Sequence, residues 1–213
     1  MIHFLTIQAR LLNCSHLLKI ACSKVGGIIF GRHHAGRKLK FKLINNLIII
    51  PIEINGAELS FLLDSGVRKP IVFNLFMETD SLTFRNAQTC YLKGLGEGKS
   101  VMALKSENNI FKIGKAMNIN QSMYAVFDEN LNFSPRLGVT VHGIIGYDLF
   151  KDFVVEINYS SGYLKLHNPE TYDYKSCTKC RTFNLEFHNN KTYINIAVVI
   201  NERKIPVKLL IDY

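Results

Sequence analysis

The run Phe61-Leu62-Leu63-Asp64-Ser65-Gly66 sets a carboxylate directly after three apolar residues. Phe61 to Leu63 belong in a core, and burying a charged carboxylate costs several kcal/mol unless it is paired, hydrogen-bonded or protonated. Ser65 supplies a short hydrogen-bonding side chain and Gly66 a sharp turn. The segment therefore presents one aspartate in a tight, water-poor cleft, where a carboxyl group can give or take a proton. The inert alternative is a strand-end aspartate that caps a turn. A second run, His142-Gly143-Ile144-Ile145-Gly146-Tyr147-Asp148-Leu149-Phe150, brackets two isoleucines with glycines and then opens a short helix over 147–152.

The elements that must hold these runs read as strands. Leu47 to Asn55 is rich in isoleucine, Asn55-Gly56 is a hairpin turn, and Leu59 to Leu63 returns as the partner strand. Thr89–Leu92, Val101–Lys105, Ile110–Ile113 and Ser122–Phe127 fit further short strands, with turns at Glu107-Asn108-Asn109 and Gly114-Lys115. Phe153–Asn158 and Tyr163–Leu166 form a hairpin across Ser160-Ser161-Gly162, and Lys69–Phe76 leads the chain out of the Asp64 loop. Many short strands with almost no helix predict an all-β, closed, barrel-like fold.

An internal repeat runs through this pattern. Leu47 to Asn55 matches Tyr193 to Asn201 without a gap, and an Asn-Asn pair precedes both, at 45–46 and 189–190. After a second turn read as two residues longer, Leu209-Leu210-Ile211-Asp212 matches Phe61-Leu62-Leu63-Asp64.

Together the Asp64 run, the Gly143–Gly146 run and the strands between them resemble the retropepsin-like aspartic proteases, closest to the bacterial type with two such lobes in one secreted chain. The resemblance covers roughly Lys42 to Leu166, and it implies one complete lobe with one short helix and the opening hairpin of a second. Four segments follow: a basic extension over 1–41, a protease lobe over 42–168, a linker over 169–183 and the truncated start of a second lobe over 184–213. By the resemblance, Asp64 is one of two catalytic carboxylates, Ser65 braces the loop across the cleft, and Gly66 lets two such loops approach. Asp212 is the candidate second carboxylate, although Tyr213 stands where the family has Ser or Thr. Gly143, Ile144, Ile145 and Gly146 would pack beside the catalytic loop. Gly94, Leu95, Gly96, Glu97 and Gly98 lie where the family keeps its flap; a plain flexible turn is the other reading of those glycines.

The chemistry implied is hydrolysis of peptide bonds in a peptide or protein substrate by a carboxylate dyad sharing one proton, with neither cofactor nor metal. The partner for Asp64 would come from a second copy in a homodimer or from the second lobe. The alternative class is a non-catalytic barrel of the same descent, serving interaction or dimerisation. Family members of this type are secreted, periplasmic or in the cell envelope, but no clean signal peptide is present. The first basic residue is Arg10, and Arg10, Asn13, His16 and Lys19 interrupt the apolar run. No stretch reaches the roughly 20 apolar residues of a membrane helix. The extension reads as a degraded signal, an amphipathic surface helix, an upstream stretch read through from a wrong start codon, or a disordered tail.

The formal net charge of +9 suggests nucleic acid until it is located. Residues 1–42 hold eight basic residues and no acidic one, whereas the rest holds 18 basic against 17 acidic, so the folded body is nearly neutral and is not a nucleic-acid surface. Cys177 and Cys180 have the spacing of half a zinc site with no second half, and read as a local disulfide or two plain thiols. His142, His33 and His34 lack ligand partners at metal spacing and read as ordinary surface or core histidines.

Overall fold

The computed structural model describes residues 5–12, 15–20, 28–30, 38–73, 82–93, 100–128, 131, 133–174, 181–189 and 191–211, the first three segments as backbone only. In chain order the elements are strands β1 (Leu5–Leu12), β2 (Ser15–Ile20), β3 (Ile28–Phe30), β4 (Leu39–Lys40), β5 (Lys42–Ile44), β6 (Leu47–Ile54), β7 (Ala57–Leu63), β8 (Ile71–Val72), β9 (Gln88–Leu92), β10 (Val101–Ile113) and β11 (Ala116–Val126). Helix α1 (Ser134–Leu137), β12 (Gly143–Ile145) and helix α2 (Tyr147–Asp152) follow. The chain continues with β13 (Val154–Asn158), β14 (Tyr163–His167), β15 (Arg181–His188), β16 (Lys191–Ile200) and β17 (Arg203–Leu210). The fold is all-β, as the strand pattern predicts.

Six strands close into a barrel. β6 and β7 form an antiparallel hairpin, β7 pairs in parallel with β12, and β12 runs antiparallel to β8. β8 pairs with β11 in parallel, β11 with β10, and β10 returns to β6 through Phe111↔Ile54 and Lys112↔Glu53. Closure removes the free edges that an open sheet would expose. The alternation along β6 and β7 turns Ile48, Ile50, Ile52 and Ile54 inward to meet Leu59, Phe61 and Leu63. Phe111, Met123, Ile145 and Leu149 join the same core. Each such side chain contributes about 1.5–3 kcal/mol when fully buried, and the ring pair Phe61–Phe111 packs edge to face with centroids 6.5 Å apart. On the other side of β6, Ile49 packs with Phe73 and Val141 in a smaller cluster.

The structure differs from the sequence expectation in β10. No turn occurs at Glu107-Asn108-Asn109; the strand runs on through a bulge, with register shifts on both sides of Asn109 and a positive φ of 58° at Asn108. A buried polar network satisfies the bulge. Asn109 Nδ2 donates to Ser106 Oγ (2.9 Å) and to the Gln121 carbonyl (3.2 Å), while its Oδ1 accepts from Asn55 Nδ2 (2.8 Å). Asn55 Oδ1 in turn accepts from the Ile110 backbone N–H (2.8 Å). Polar residues that look like a loop in one dimension are here a packed strand distortion.

A second sheet, ordered β17-β16-β15-β1-β2-β13-β14-β4, takes strands from both ends of the chain and crosses the segment boundaries expected near 41 and 168. The described parts of residues 1–41 are mostly strands, in which β1 pairs with β15 and β2 with β13. The repeat is visible as two meanders, β5-β6-β7 and β15-β16-β17. Both hairpin turns hold two residues, with positive φ at Asn55 and Gly56 in the first and at Asn201 and Glu202 in the second. The two extra residues expected in the second turn lie instead after it, in β17 and its exit: nine residues (203–211) separate this turn from Asp212, where seven (57–63) separate the first turn from Asp64.

The Asn109 network gives the first test. In Asn109→Ala the donors and acceptors of Asn55 and Ser106 lose buried partners, so the variant should be destabilised by about 1–3 kcal/mol. Urea unfolding measures this; an unchanged midpoint would mean that the network is dispensable.

Candidate active site

β7 delivers its chain into the barrel wall and releases it at Asp64. The Asp64 backbone N–H still donates to the Ile145 carbonyl of β12 (2.9 Å), so the aspartate is tied to the wall at the point where the strand ends. The chain then turns on itself: the Gly66 N–H donates to Asp64 Oδ1 (2.8 Å) and the Val67 N–H to the Asp64 carbonyl (3.1 Å). Asp64 is half-buried and Ser65 fully buried. On the far side, the Tyr147 N–H at the start of α2 donates to the Val67 carbonyl (2.9 Å).

The predicted neighbours of this loop come together beside it. Gly143–Ile145 lie as β12 in parallel register with Phe61–Leu63, and Gly146 follows against the loop. A Cβ on Gly146 would stand 1.7 Å from the Asp64 carbonyl oxygen, and one on Gly143 2.5 Å from both the Ile71 carbonyl oxygen and the Phe61 ring. Only glycine fits at these two approaches. His142 is a core histidine. Its N–H donates to the Ser60 carbonyl (2.8 Å) and its Nδ1 accepts from the Ser60 N–H (3.0 Å), so it satisfies both backbone groups of Ser60 where the β7–β12 pairing begins.

Ser65 reaches across 146 positions of sequence. Its hydroxyl donates to the Ile211 carbonyl at 2.6 Å. Ile211 closes the β16–β17 hairpin through its N–H to the Thr192 carbonyl (2.9 Å), and its side chain packs on the main core. Asp212 itself lies outside the described residues, as do Gly94, Leu95, Gly96, Glu97 and Gly98, the pair Cys177 and Cys180, and His33 and His34. What is described of the glycine-rich segment is its two flanks: β9 and β10 form a hairpin in which Tyr91 stands opposite Met102, 71% and 58% exposed. Among the described residues no group of three or more His, Cys, Asp or Glu gathers as a metal site.

Sequence reasoning missed the charged groups behind the loop. Lys69 Nζ donates to both carboxylate oxygens of Asp148 (3.2 and 2.9 Å), and Gln121 Nε2 of β11 donates to Asp148 Oδ2 (2.7 Å). Asp152 follows one helical turn later, buried, with Lys151 3.6 Å away. Burial pushes the Asp152 carboxyl up to about 6; nearby Asp148 adds to this, and Lys151 opposes it. The available signal was two aspartates at i and i+4 in a short helix, an unfavourable pairing unless cations are supplied from elsewhere.

No family model matches the chain, and no curated protein matches it. Among solved structures it is similar to one described as a retropepsin-like aspartic protease from Rickettsia conorii, at 16% identity and a TM-score of 0.39, over 68% of this chain and 96% of that one.

Gly146→Ala tests that geometry. The added methyl must displace the Asp64 carbonyl, so the variant should lose about 1–3 kcal/mol or more, read as a lower midpoint in thermal unfolding. A midpoint equal to that of the parent would contradict the close approach.

Proposed function

We propose that this chain is an aspartic-type endopeptidase unit in which Asp64 is one carboxylate of a proton-sharing pair and Asp212 of the same chain is the other. The observation that carries this reading is the Ser65–Ile211 hydrogen bond, which joins the residue after Asp64 to the residue before Asp212. A second copy of Asp64 in a homodimer is the rival source of the pair. The intramolecular contact favours Asp212, because the side chain that would brace a symmetric partner is already engaged within the chain.

In such a pair, like charges close together cannot both ionise cheaply, so one proton is shared. The ionised member takes a proton from water, and the resulting oxygen nucleophile attacks the peptide carbonyl carbon. The protonated member gives its proton to the carbonyl oxygen. Collapse of the tetrahedral adduct breaks the C–N bond as the leaving nitrogen takes up a proton from the pair. The substrate class is an extended peptide or an unstructured protein segment. Tyr213, in the place that corresponds to Ser65, is the departure that bears most directly on the second loop.

Cleavage of an unstructured protein from pH 3 to 7 tests the reading. The parent chain should show a bell-shaped profile, and Asp64→Asn and Asp212→Asn should each lower the rate by about 10²-fold or more. Loss in Asp64→Asn with full activity in Asp212→Asn would assign the pair to a homodimer.

A second reading, a non-catalytic interaction module, is favoured by a different feature. The β16–β17 hairpin exposes Val199, Ile200, Ile205, Leu209 and Leu210, an apolar surface of the kind that marks association sites. It predicts self-association, measured by sedimentation, that survives Asp64→Asn and is lost in Leu209→Lys. Cleavage that depends on Asp64 would exclude it as a full account.

A further inference from the structure

Behind the Asp64 loop, two lysines and two aspartates meet at one end of a small cavity between α2 and the β10–β11 hairpin. Lys69 stands five residues after Asp64 and is the last charged residue before the chain enters β8. It grips Asp148 through both carboxylate oxygens. Asp148 is only 3% exposed and lies two residues after Gly146, the glycine pressed against the Asp64 carbonyl. The segment from Asp64 to Lys69 is thus held at both ends by one short stretch of chain. Asp64 N–H to Ile145 and Val67 carbonyl to Tyr147 N–H hold the near side, and Lys69 to Asp148 holds the far side.

We propose that Lys69 and Asp148 are positioning residues that clamp the Asp64 loop onto β12 and α2, and that Asp152 makes this clamp tighter at acid pH than at neutral pH. Among the described residues, the charged groups facing Asp152 are three. Its own helix brings Asp148 and Lys151, and the loop brings Lys69. From β10 and β11 the cavity is lined by Phe111, Ile113, Ala116, Asn118 and Gln121, none of which titrates. Burial, with Asp148 adding to it against the pull of Lys151, raises the Asp152 carboxyl from the ordinary 3.8 to about 6. Below that range Asp152 is neutral, and both lysines serve Asp148. Above it, a second buried carboxylate repels Asp148 and draws on Lys151, which lies 3.6 Å from each aspartate. Because the folded value exceeds the unfolded one, the fold binds this proton more tightly. Stability from this group is full below about 4, falls as pH rises to about 6 and is flat beyond.

The clamp bears on catalysis only if Asp64 is catalytic, so its test is read without any cleavage. Amide hydrogen exchange, corrected for intrinsic rates, is followed over residues 61–70 from pH 4.5 to 7.5, with the 191–210 hairpin as internal reference. In the parent chain, protection of the loop relative to the hairpin should fall as pH rises through about 6. Lys69→Met, a half-exposed position where the apolar stem is kept, should speed loop exchange about tenfold at pH 5 without altering the hairpin, and Lys69→Arg should restore protection. Asp152→Asn should keep the loop protected at pH 7.5. Equal loop protection in the parent and Lys69→Met, or a parent loop indifferent to pH between 5 and 7, would overturn the proposal. Asp148→Asn should speed loop exchange in the same way; should it fail to fold, Lys69→Met decides alone. A pH-graded loop in a chain that cleaves nothing would keep the clamp and reject the peptidase.

Discussion

The contact between Gly146 and the carbonyl of Asp64 constrains most of what surrounds it. For two backbones to come this close, β12 must lie beside β7 in parallel, which requires the chain to cross the barrel between them through β8, β9, β10 and β11. The second glycine, Gly143, admits the Phe61 ring and the Ile71 carbonyl in the same way. Parallel strands cannot be joined by a tight turn, and roughly 80 positions of sequence separate the two halves of this contact. The aspartate is therefore presented by a wall that is already closed, and its backbone has little freedom left when its side chain meets solvent.

That constraint also explains the polar chemistry behind the loop. A strand end, a tight turn and a helix start crowd into one place, and each leaves backbone groups that need partners. His142 serves Ser60, Asp64 Oδ1 serves Gly66, and the Val67 carbonyl accepts from the Tyr147 N–H that opens α2. Asp148 is held by Lys69 and Gln121 from two other elements. A buried carboxylate is tolerable there because Lys69 contributes a cation and Gln121 a donor.

Much of this was legible in the sequence, and the misses are instructive. The isoleucine alternation of β6, the Asn55-Gly56 turn, the glycine-bracketed β12 and the short helix after it all follow from local pattern. The barrel follows from many short strands without helices. The bulge at Asn109 did not, because Glu107-Asn108-Asn109 has the composition of a turn and only the distant partners Asn55 and Gln121 make it a strand. The clamp of Lys69 on Asp148 was hidden by a separation of 79 residues. The pairing of β1 with β15 was hidden for the same reason, since a basic, patchily apolar segment reads as a tail until a strand from the other end of the chain lies beside it. The repeat was visible as pattern, yet its extra residues were assigned to a turn because strand length is set by pairing, which sequence does not display.

The sheet that joins β1 to β15 carries a kinetic consequence. Leu5 is paired with Leu185 and Ala9 with Arg181, so β1 cannot complete its ladder until residues 181–185 have left the ribosome. The barrel needs nothing beyond β12 to close, and it can form while β1 and β2 still wait. Closing so long a loop costs entropy before any contact repays it, and contacts of such sequence separation are slow to form. The order of events would be a barrel first, with its aspartate loop set, and the eight-stranded sheet last, leaving a period during synthesis when the first strands have unpaired edges and the means to meet another chain.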